Sequence, residues 1–183
     1  MRFYLGDVKE KTVDQLVKSI LKNPDEVIVV HINSDGGCYR SALNIYELLR
    51  TCNKQVITHV TNTCYSAAVI VYLAGELRYV TKQSHFMIHE VSCEPDEDEK
   101  AFTLQFYERM AAELRADSNA MFRLFVERTN LSLKEIRKNI ESAPGKDWYF
   151  EAKKAIEMGV AHKVGFPIYV SSEESSKEDE VHG

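Results

Sequence analysis

The sequence predicts an α/β fold in which helices cover a largely parallel sheet. Two apolar runs, over residues 27–32 and 55–60, are nearly continuous. The first is rich in β-branched side chains, and such runs are typical of strands that are buried on both faces. A predicted helix follows each run, and this alternation of strand and helix favours an α/β fold with parallel strands.

Apolar spacing and turn residues place the other elements of the first half. Short strands are predicted over residues 3–5, 78–81 and 85–88. Before the first long strand, apolar residues at helical spacing predict a helix, with Thr12 and Gln15 as a capping-box pattern. The two helices after the long strands are predicted around Ala42–Leu49 and over residues 67–74.

One long helix dominates the second half of the sequence. It is predicted over residues 102–129, which is long for one domain, so we expect it to project as a handle or to pack on another subunit. Ser132 and Glu135 form a second capping-box pattern. The last predicted elements are a helix from residue 132 to about 141, a helix over 151–158 and a strand over 161–164.

Length, composition and charge describe an ordinary globular protein. The chain has 183 residues, 44% of them apolar and 28% charged, with a net charge of −5. We expect a single domain over residues 1–168, an acidic loop at 94–99 and a disordered acidic tail over 169–183. The sequence has no basic patch and no apolar stretch of membrane-spanning length, so we expect neither nucleic acid nor a membrane as partner.

The cysteines and the N-terminus bear on location and on metal binding. Four cysteines occur without a CxxC spacing, which predicts free thiols in a reducing compartment and no metal site. The first residues turn polar at once and lack the apolar region of a signal peptide. We therefore expect a cytoplasmic protein.

Three local patterns point to nucleophilic catalysis. Ser66 lies where the strand at 55–60 gives way to an apolar helix, and a serine at such a corner exposes its hydroxyl beside free backbone amides. His89 closes a short apolar stretch that begins after residue 84. Gly36 and Gly37 end the first buried strand and allow the backbone to approach closely. Together they suggest a nucleophile, a base and an oxyanion site.

Four blocks of the sequence, within about residues 4–164, form an ordered set of motifs. Residues 32–37 are Ile-Asn-Ser-Asp-Gly-Gly, residues 65–75 begin with Tyr-Ser-Ala-Ala and end in Ala-Gly, residues 87–89 are Met-Ile-His, and residues 147–152 begin with Asp-Trp. In the same order, these blocks resemble four blocks of the proteolytic subunit of the Clp protease family. They are its Ile-Asn-Ser-Pro-Gly-Gly segment, its nucleophile helix, which also ends in Ala-Gly, its Met-Ile-His block and the stretch that begins at its catalytic aspartate.

The resemblance implies the Clp/crotonase spiral fold of ββα units and a serine endopeptidase. Carried over position by position, Ser66 is the nucleophile, His89 the general base and Asp147 the residue that orients the imidazole. Glu141, Glu151 and Asp98 are the alternatives for the orienting carboxylate. The backbone amides of Gly37 and Ala67 would form the oxyanion hole. An extended substrate strand would bind beside Gly36 and Gly37.

The resemblance also implies partners. These are a peptide or unfolded protein substrate, a homo-oligomeric ring that is seven-fold in the family, and an AAA+ unfoldase; no metal or organic cofactor is needed. Tyr65 stands where relatives have alanine, so its bulk could crowd the nucleophile. Residues 94–99 stand where relatives have the strand that stacks two rings. Three alternatives stay open: a phage or viral head-maturation protease of the same fold, a catalytically inactive ring subunit, and a crotonase-like acyl-CoA enzyme.

Overall fold

Seven strands form one sheet in the computed structural model, which describes residues 1–93 and 103–168. The strands are β1 (Arg2–Leu5), β2 (Val27–Ser34), β3 (Gln55–Tyr65), β4 (Leu77–Val80), β5 (His85–Ile88), β6 (Trp148–Glu151) and β7 (Lys163–Val164). The helices are α1 (Glu10–Lys22), α2 (Tyr39–Thr51), α3 (Ala67–Leu73), α4 (Leu104–Arg128), α5 (Leu133–Ser142) and α6 (Ala152–Glu157), with a short 3-10 helix at Pro144–Lys146.

The sheet is parallel except at one pair. Strands β1, β2, β3, β4 and β7 lie side by side in that order, all parallel to their neighbours. Strand β5 pairs in parallel with β3, and β6 pairs with β5 in the antiparallel direction. This arrangement confirms the predicted α/β class with a largely parallel sheet.

The long strand β3 has two different neighbours along its length. Residues 57–60 pair with β4, and residues 63–65 pair with β5. The two neighbours are linked by a tight turn over residues 81–84, in which the Ser84 hydroxyl donates to the Val60 carbonyl at 3.0 Å. The turn moves the chain from β4, beside the first half of β3, to β5, beside the second half. Both β3 and β5 therefore end at the same edge of the sheet.

Helix α3 forms the centre of the hydrophobic core, and all seven of its residues are buried. It packs against α2, whose buried face carries Ala42, Ile45 and Leu49. The buried residues of α4, except Phe106, all lie in its second half. This distribution agrees with the predicted handle, because the first half of α4 offers little surface to the core.

The two capping-box predictions had different outcomes. The box at Ser132 and Glu135 is confirmed: the Ser132 hydroxyl accepts from the Glu135 amide, and the Glu135 carboxylate accepts from the Ser132 amide. The box at Thr12 is wrong, because α1 already begins at Glu10. The Thr12 hydroxyl instead donates to the Asp7 carbonyl at 2.8 Å, so it ties the helix to the preceding loop.

The largest differences from the sequence prediction lie in three strands. Strand β3 runs five residues further than predicted, because β5 supplies a partner for its polar end. Strand β6 was missed, and it occupies a segment with no clear alternation of apolar and polar residues. Strand β7 covers only the second half of the predicted 161–164. The acidic loop at 94–99 and the tail at 169–183 lie outside the described residues.

Candidate active site

Ser66 lies between β3 and α3 in a conformation that non-glycine residues rarely adopt. Its backbone has φ 52° and ψ −126°. The Ser66 amide donates to the Met87 carbonyl at 2.8 Å, and the Val69 amide donates to the Ser66 carbonyl at 3.0 Å. These two bonds hold the corner in place, which is how a structure maintains local strain at a functional position.

His89 follows the last residue of β5 and meets Ser66 across the sheet edge. The Nε2 atom of His89 lies 2.7 Å from the Ser66 Oγ atom. The two residues are brought together because β3 and β5 are parallel neighbours, with Tyr65 paired to Met87. This is the contact that a serine nucleophile and its base require.

The other imidazole nitrogen of His89 has a backbone partner. His89 Nδ1 is hydrogen-bonded to the Glu90 carbonyl oxygen. A carbonyl only accepts, so Nδ1 carries the hydrogen, and the lone pair of Nε2 faces the Ser66 hydroxyl. This is the tautomer that accepts a proton from serine. No side-chain pattern in the sequence pointed to Glu90, because its contribution is a main-chain atom.

Asp147 is close to His89 in strand register but is not bonded to it. Ile88 pairs with Trp148 at the end of the antiparallel pair of β5 and β6, so the next residues outward are His89 and Asp147. Within the described parts of the chain, no hydrogen bond or ion pair joins the Asp147 carboxylate to the His89 ring. The structure thus brings together Ser66 and His89 and leaves Asp147 apart.

Two backbone amides lie beside Ser66 in the cleft. Neither the Gly37 amide nor the Ala67 amide donates a hydrogen bond to any residue in 1–93 or 103–168. Both residues line the same cleft as Ser66 and His89. A Cβ atom on Gly36 would lie 2.9 Å from the Ser66 Cβ and 3.2 Å from the Ala67 nitrogen. Glycine at position 36 therefore keeps the space beside Ser66 open.

The cleft in front of Ser66 is small and partly apolar. It encloses about 50 Å³. Its apolar lining comes from α3, from the end of β5 and from the second half of α4, through Ile70, Ile88, Met121 and Phe125. An apolar side chain of a bound molecule would lose contact with water there, which favours its binding.

Tyr65 precedes Ser66 but does not stand between Ser66 and His89. Its ring packs edge-on against Tyr149 of β6, with 5.7 Å between ring centroids. Partial burial is the main cause that raises the pKa of Tyr65, and the neighbouring Tyr149 and Asp35 raise it further. The Tyr65 hydroxyl therefore stays neutral. The sequence suggests that Tyr65 could crowd the nucleophile, and the observed Ser66–His89 contact shows that it does not separate the pair.

The described residues also bear on metal binding and on membranes. Within 1–93 and 103–168, no group of three or more His, Cys, Asp or Glu side chains is arranged to hold a metal ion. None of the helices in these ranges has the length and apolar character needed to cross a bilayer.

The sheet, the long helix α4 and the serine at the β3–α3 corner together define a ClpP-like α/β protein. Its fold resembles the solved structure of a ClpP1 point mutant from Listeria monocytogenes, with a TM-score of 0.76 and 21% sequence identity. That match covers 91% of each chain. A family model described as Clp protease matches residues 3–167. The chain belongs to the Clp protease family, as the sequence blocks indicated.

Proposed function

We propose that the chain is a serine endopeptidase with Ser66 as its nucleophile. The observation that carries the proposal is the 2.7 Å contact between Ser66 Oγ and His89 Nε2. Serine is a weak nucleophile until a base takes its proton, and this contact supplies the base. Membership of a peptidase family supports the same reaction.

The proposed reaction follows from the positions of these groups. As the Ser66 oxygen attacks the peptide carbonyl, His89 accepts the hydroxyl proton through Nε2 and later donates it to the leaving amine. The carbonyl oxygen gains negative charge during the attack. The unpaired amides of Gly37 and Ala67 are the proposed donors to that oxygen, and one such donor contributes roughly 3–4 kcal/mol in well-studied enzymes.

Asp147 is the proposed partner of His89 in the working enzyme. In this structure the Glu90 carbonyl holds the Nδ1 hydrogen. A neutral carbonyl fixes the tautomer, but a carboxylate also stabilises the imidazolium that forms during the reaction. Because Asp147 lies opposite His89, one step beyond the last pair of β5 and β6, a movement of these strand ends is the proposed way for its carboxylate to replace the carbonyl.

The proposed substrate is an unfolded or short peptide chain bound in extended form beside Gly36 and Gly37. Main-chain groups at this edge would bind the peptide backbone, and the apolar cleft would accept one side chain. We further propose that the chain acts in a homo-oligomeric ring, with an AAA+ unfoldase as a candidate partner, in the cytoplasm. Membership of the Clp protease family supports the ring.

A fluorophosphonate probe tests the nucleophile directly, since it bonds covalently to activated serines. We expect one label, on Ser66, which is lost in Ser66→Ala together with cleavage of unfolded casein. The matched control is Ser19→Ala, a distant serine whose hydroxyl donates to the Gln15 carbonyl within α1. Unchanged cleavage by Ser66→Ala would refute the proposal.

The same assay separates the alternatives. A labelled Ser66 without casein cleavage, but with cleavage of one structural protein, would indicate a head-maturation protease. Absence of label and of cleavage would indicate an inactive ring subunit. Saturable binding of acyl-CoA without a label at Ser66 would indicate a crotonase-like enzyme.

A further inference from the structure

Two of the four cysteines line one cleft next to the candidate active site. Cys38 and Cys93 are exposed, whereas Cys52 is half-buried and Cys64 is buried. The cleft encloses about 240 Å³ and is bounded by residues 37–40, residues 91–93 and the first half of α4. The two exposed cysteines therefore come from different chain segments and line a common space.

Cys38 is held in a position that favours its thiolate. It is the N-cap residue of α2, and its amide donates to the Val8 carbonyl at 2.8 Å. The pKa of the Cys38 thiol lies below its usual value despite partial burial. The largest cause is a hydrogen bond with the Ser41 hydroxyl, and smaller causes are the backbone amides of Ser41 and Arg40 and the Arg40 charge. The thiolate is the form of cysteine that attacks disulfides.

Cys93 lies on a segment with few restraints. Residues 91–93 belong to no strand or helix, and the Val91 amide is tied to the Ser118 hydroxyl at 3.0 Å. Within the described residues, neither Ser92 nor Cys93 forms a hydrogen bond. A disulfide would require the Cα atoms of Cys38 and Cys93 to come within about 7 Å, and no hydrogen bond of Ser92 or Cys93 in the described residues opposes that approach.

We propose that Cys38 and Cys93 are a redox-active thiol pair that closes this cleft when it is oxidised by a small disulfide such as glutathione disulfide. The Cys38 thiolate attacks one sulfur of glutathione disulfide, forms a mixed disulfide and releases one glutathione thiolate. The Cys93 thiolate then attacks the Cys38 sulfur and releases the second glutathione thiolate. The protein loses two electrons, and the small disulfide gains them as two thiols.

Closure of this cleft would restrict the candidate active site. Gly37, Tyr39, Val91 and Ser92 line both this cleft and the smaller one in front of Ser66. A bond between Cys38 and Cys93 would hold residues 91–93 against the loop that carries the Gly37 amide. This consequence rests on the proposed peptidase function, whereas the disulfide itself does not.

The test combines mass spectrometry with peptide cleavage on the full chain. After treatment with glutathione disulfide, we expect a cross-linked Cys38–Cys93 peptide in the wild-type digest. Cys93→Ser should stop at a glutathione adduct on Cys38, and Cys38→Ser should give neither product. Cys52→Ser is the matched control, because its thiol lies outside the cleft and donates to the Leu49 carbonyl; it should behave as wild type.

Peptide cleavage gives the second measurement. Oxidation should lower the wild-type rate by about tenfold or more, with recovery on addition of dithiothreitol, and should leave the Cys38→Ser rate unchanged. The thiol pair is refuted if no Cys38–Cys93 peptide forms, or if Cys93→Ser does not accumulate the adduct. A cross-link that forms without changing the cleavage rate of an active enzyme would refute the gating. If the reduced protein cleaves nothing, the peptidase proposal fails, and the cross-link still decides the thiol pair.

Discussion

The Ser66 amide donates to the Met87 carbonyl at 2.8 Å, and this bond ties the corner after β3 directly to β5. Met87 lies only two residues before His89. The separation of the serine hydroxyl and the imidazole is therefore set by neighbouring strands of the sheet. Sites built on such regular elements hold their geometry more closely than sites built on loops.

The backbone of Ser66 provides a test of strain. Its φ of 52° and ψ of −126° suit glycine better than any residue with a Cβ atom. We expect Ser66→Gly to raise the free energy of unfolding by about 1 kcal/mol while abolishing fluorophosphonate labelling. Urea denaturation measures the first effect.

Ser66→Ala is the control for that experiment, because alanine removes the hydroxyl and keeps the Cβ atom. Its stability should stay close to that of the wild type. Equal stability of the glycine and alanine variants would show that the corner carries no strain.

Substitution of Asp147 tests which group orients His89. If Asp147 replaces the Glu90 carbonyl in the working enzyme, Asp147→Asn should lower kcat/KM by about 100-fold or more, since removing the equivalent charge in other triads has effects up to about 10⁴-fold. Glu151→Gln, a change at an exposed carboxylate at the far end of β6, is the control. A loss smaller than about tenfold would mean that the carbonyl alone suffices.

Arg78 should be among the most sensitive positions for stability. It is 3% exposed, and its guanidinium donates to the carbonyls of Val160, Gly75, Arg128 and Gly159. Burial lowers the pKa of Arg78 to about 10, so it remains charged at neutral pH. We expect Arg78→Met to lower the free energy of unfolding by about 3–5 kcal/mol, because several buried carbonyls lose their donor. Urea denaturation measures this loss.

Arg50→Met is the matched comparison for Arg78. Arg50 is partly exposed, reaches the Ala74 carbonyl only at 3.5 Å and forms a 3.8 Å ion pair with Glu76. Such surface contacts contribute about 0–1 kcal/mol. Similar losses of unfolding free energy in the two variants would contradict the role assigned to Arg78.

A buried histidine pair should make the fold sensitive to acid. His31 and His59 are 3% and 2% exposed, their Nδ1 atoms lie 3.1 Å apart, and both Nε2 atoms lack partners in the described structure. Burial lowers the pKa of both rings, that of His59 from 6.5 to about 4. Below pH 6.5 the unfolded chain therefore binds more protons than the folded chain, and stability decreases as the pH falls toward 4.

The slope of that decrease can be measured. His59 contributes up to about 1.4 kcal/mol per pH unit between pH 6.5 and about 4, and His31 adds to the slope in the same direction. Urea denaturation at several pH values should show a shallower slope for His59→Gln than for the wild type. An unchanged slope would mean that other groups control the acid sensitivity.

The sequence predicted the parts of the fold that have a local pattern. The continuous apolar runs of β2 and β3 and the capping box at Ser132 mark their elements clearly. Strand β6 has no such pattern and owes its form to pairing with β5. The helix start predicted at Thr12 is wrong for a related reason, because a contact outside the helix decides the role of this side chain. The Thr12 hydroxyl donates to the Asp7 carbonyl instead of capping α1.

The candidate site was predictable only in part for a similar reason. Ser66 and His89 could be proposed because their motifs lie at strand ends, which parallel pairing brings together. The partner of His89 Nδ1 depends on the path of the chain after β5. It is the main-chain carbonyl of Glu90, which every residue type carries, so the sequence cannot indicate it. The shared cleft of Cys38 and Cys93 likewise depends on where residues 91–93 lie.

The turn over residues 81–84 has a consequence for how this protein can vary. It connects two strands that share one edge of β3, and Ser84 anchors it to Val60. One inserted residue would shift β5 against β3, reverse which of its side chains face inward and carry His89 out of reach of Ser66. Active variants of this chain would therefore tolerate insertions elsewhere but would have to keep the length of this four-residue turn.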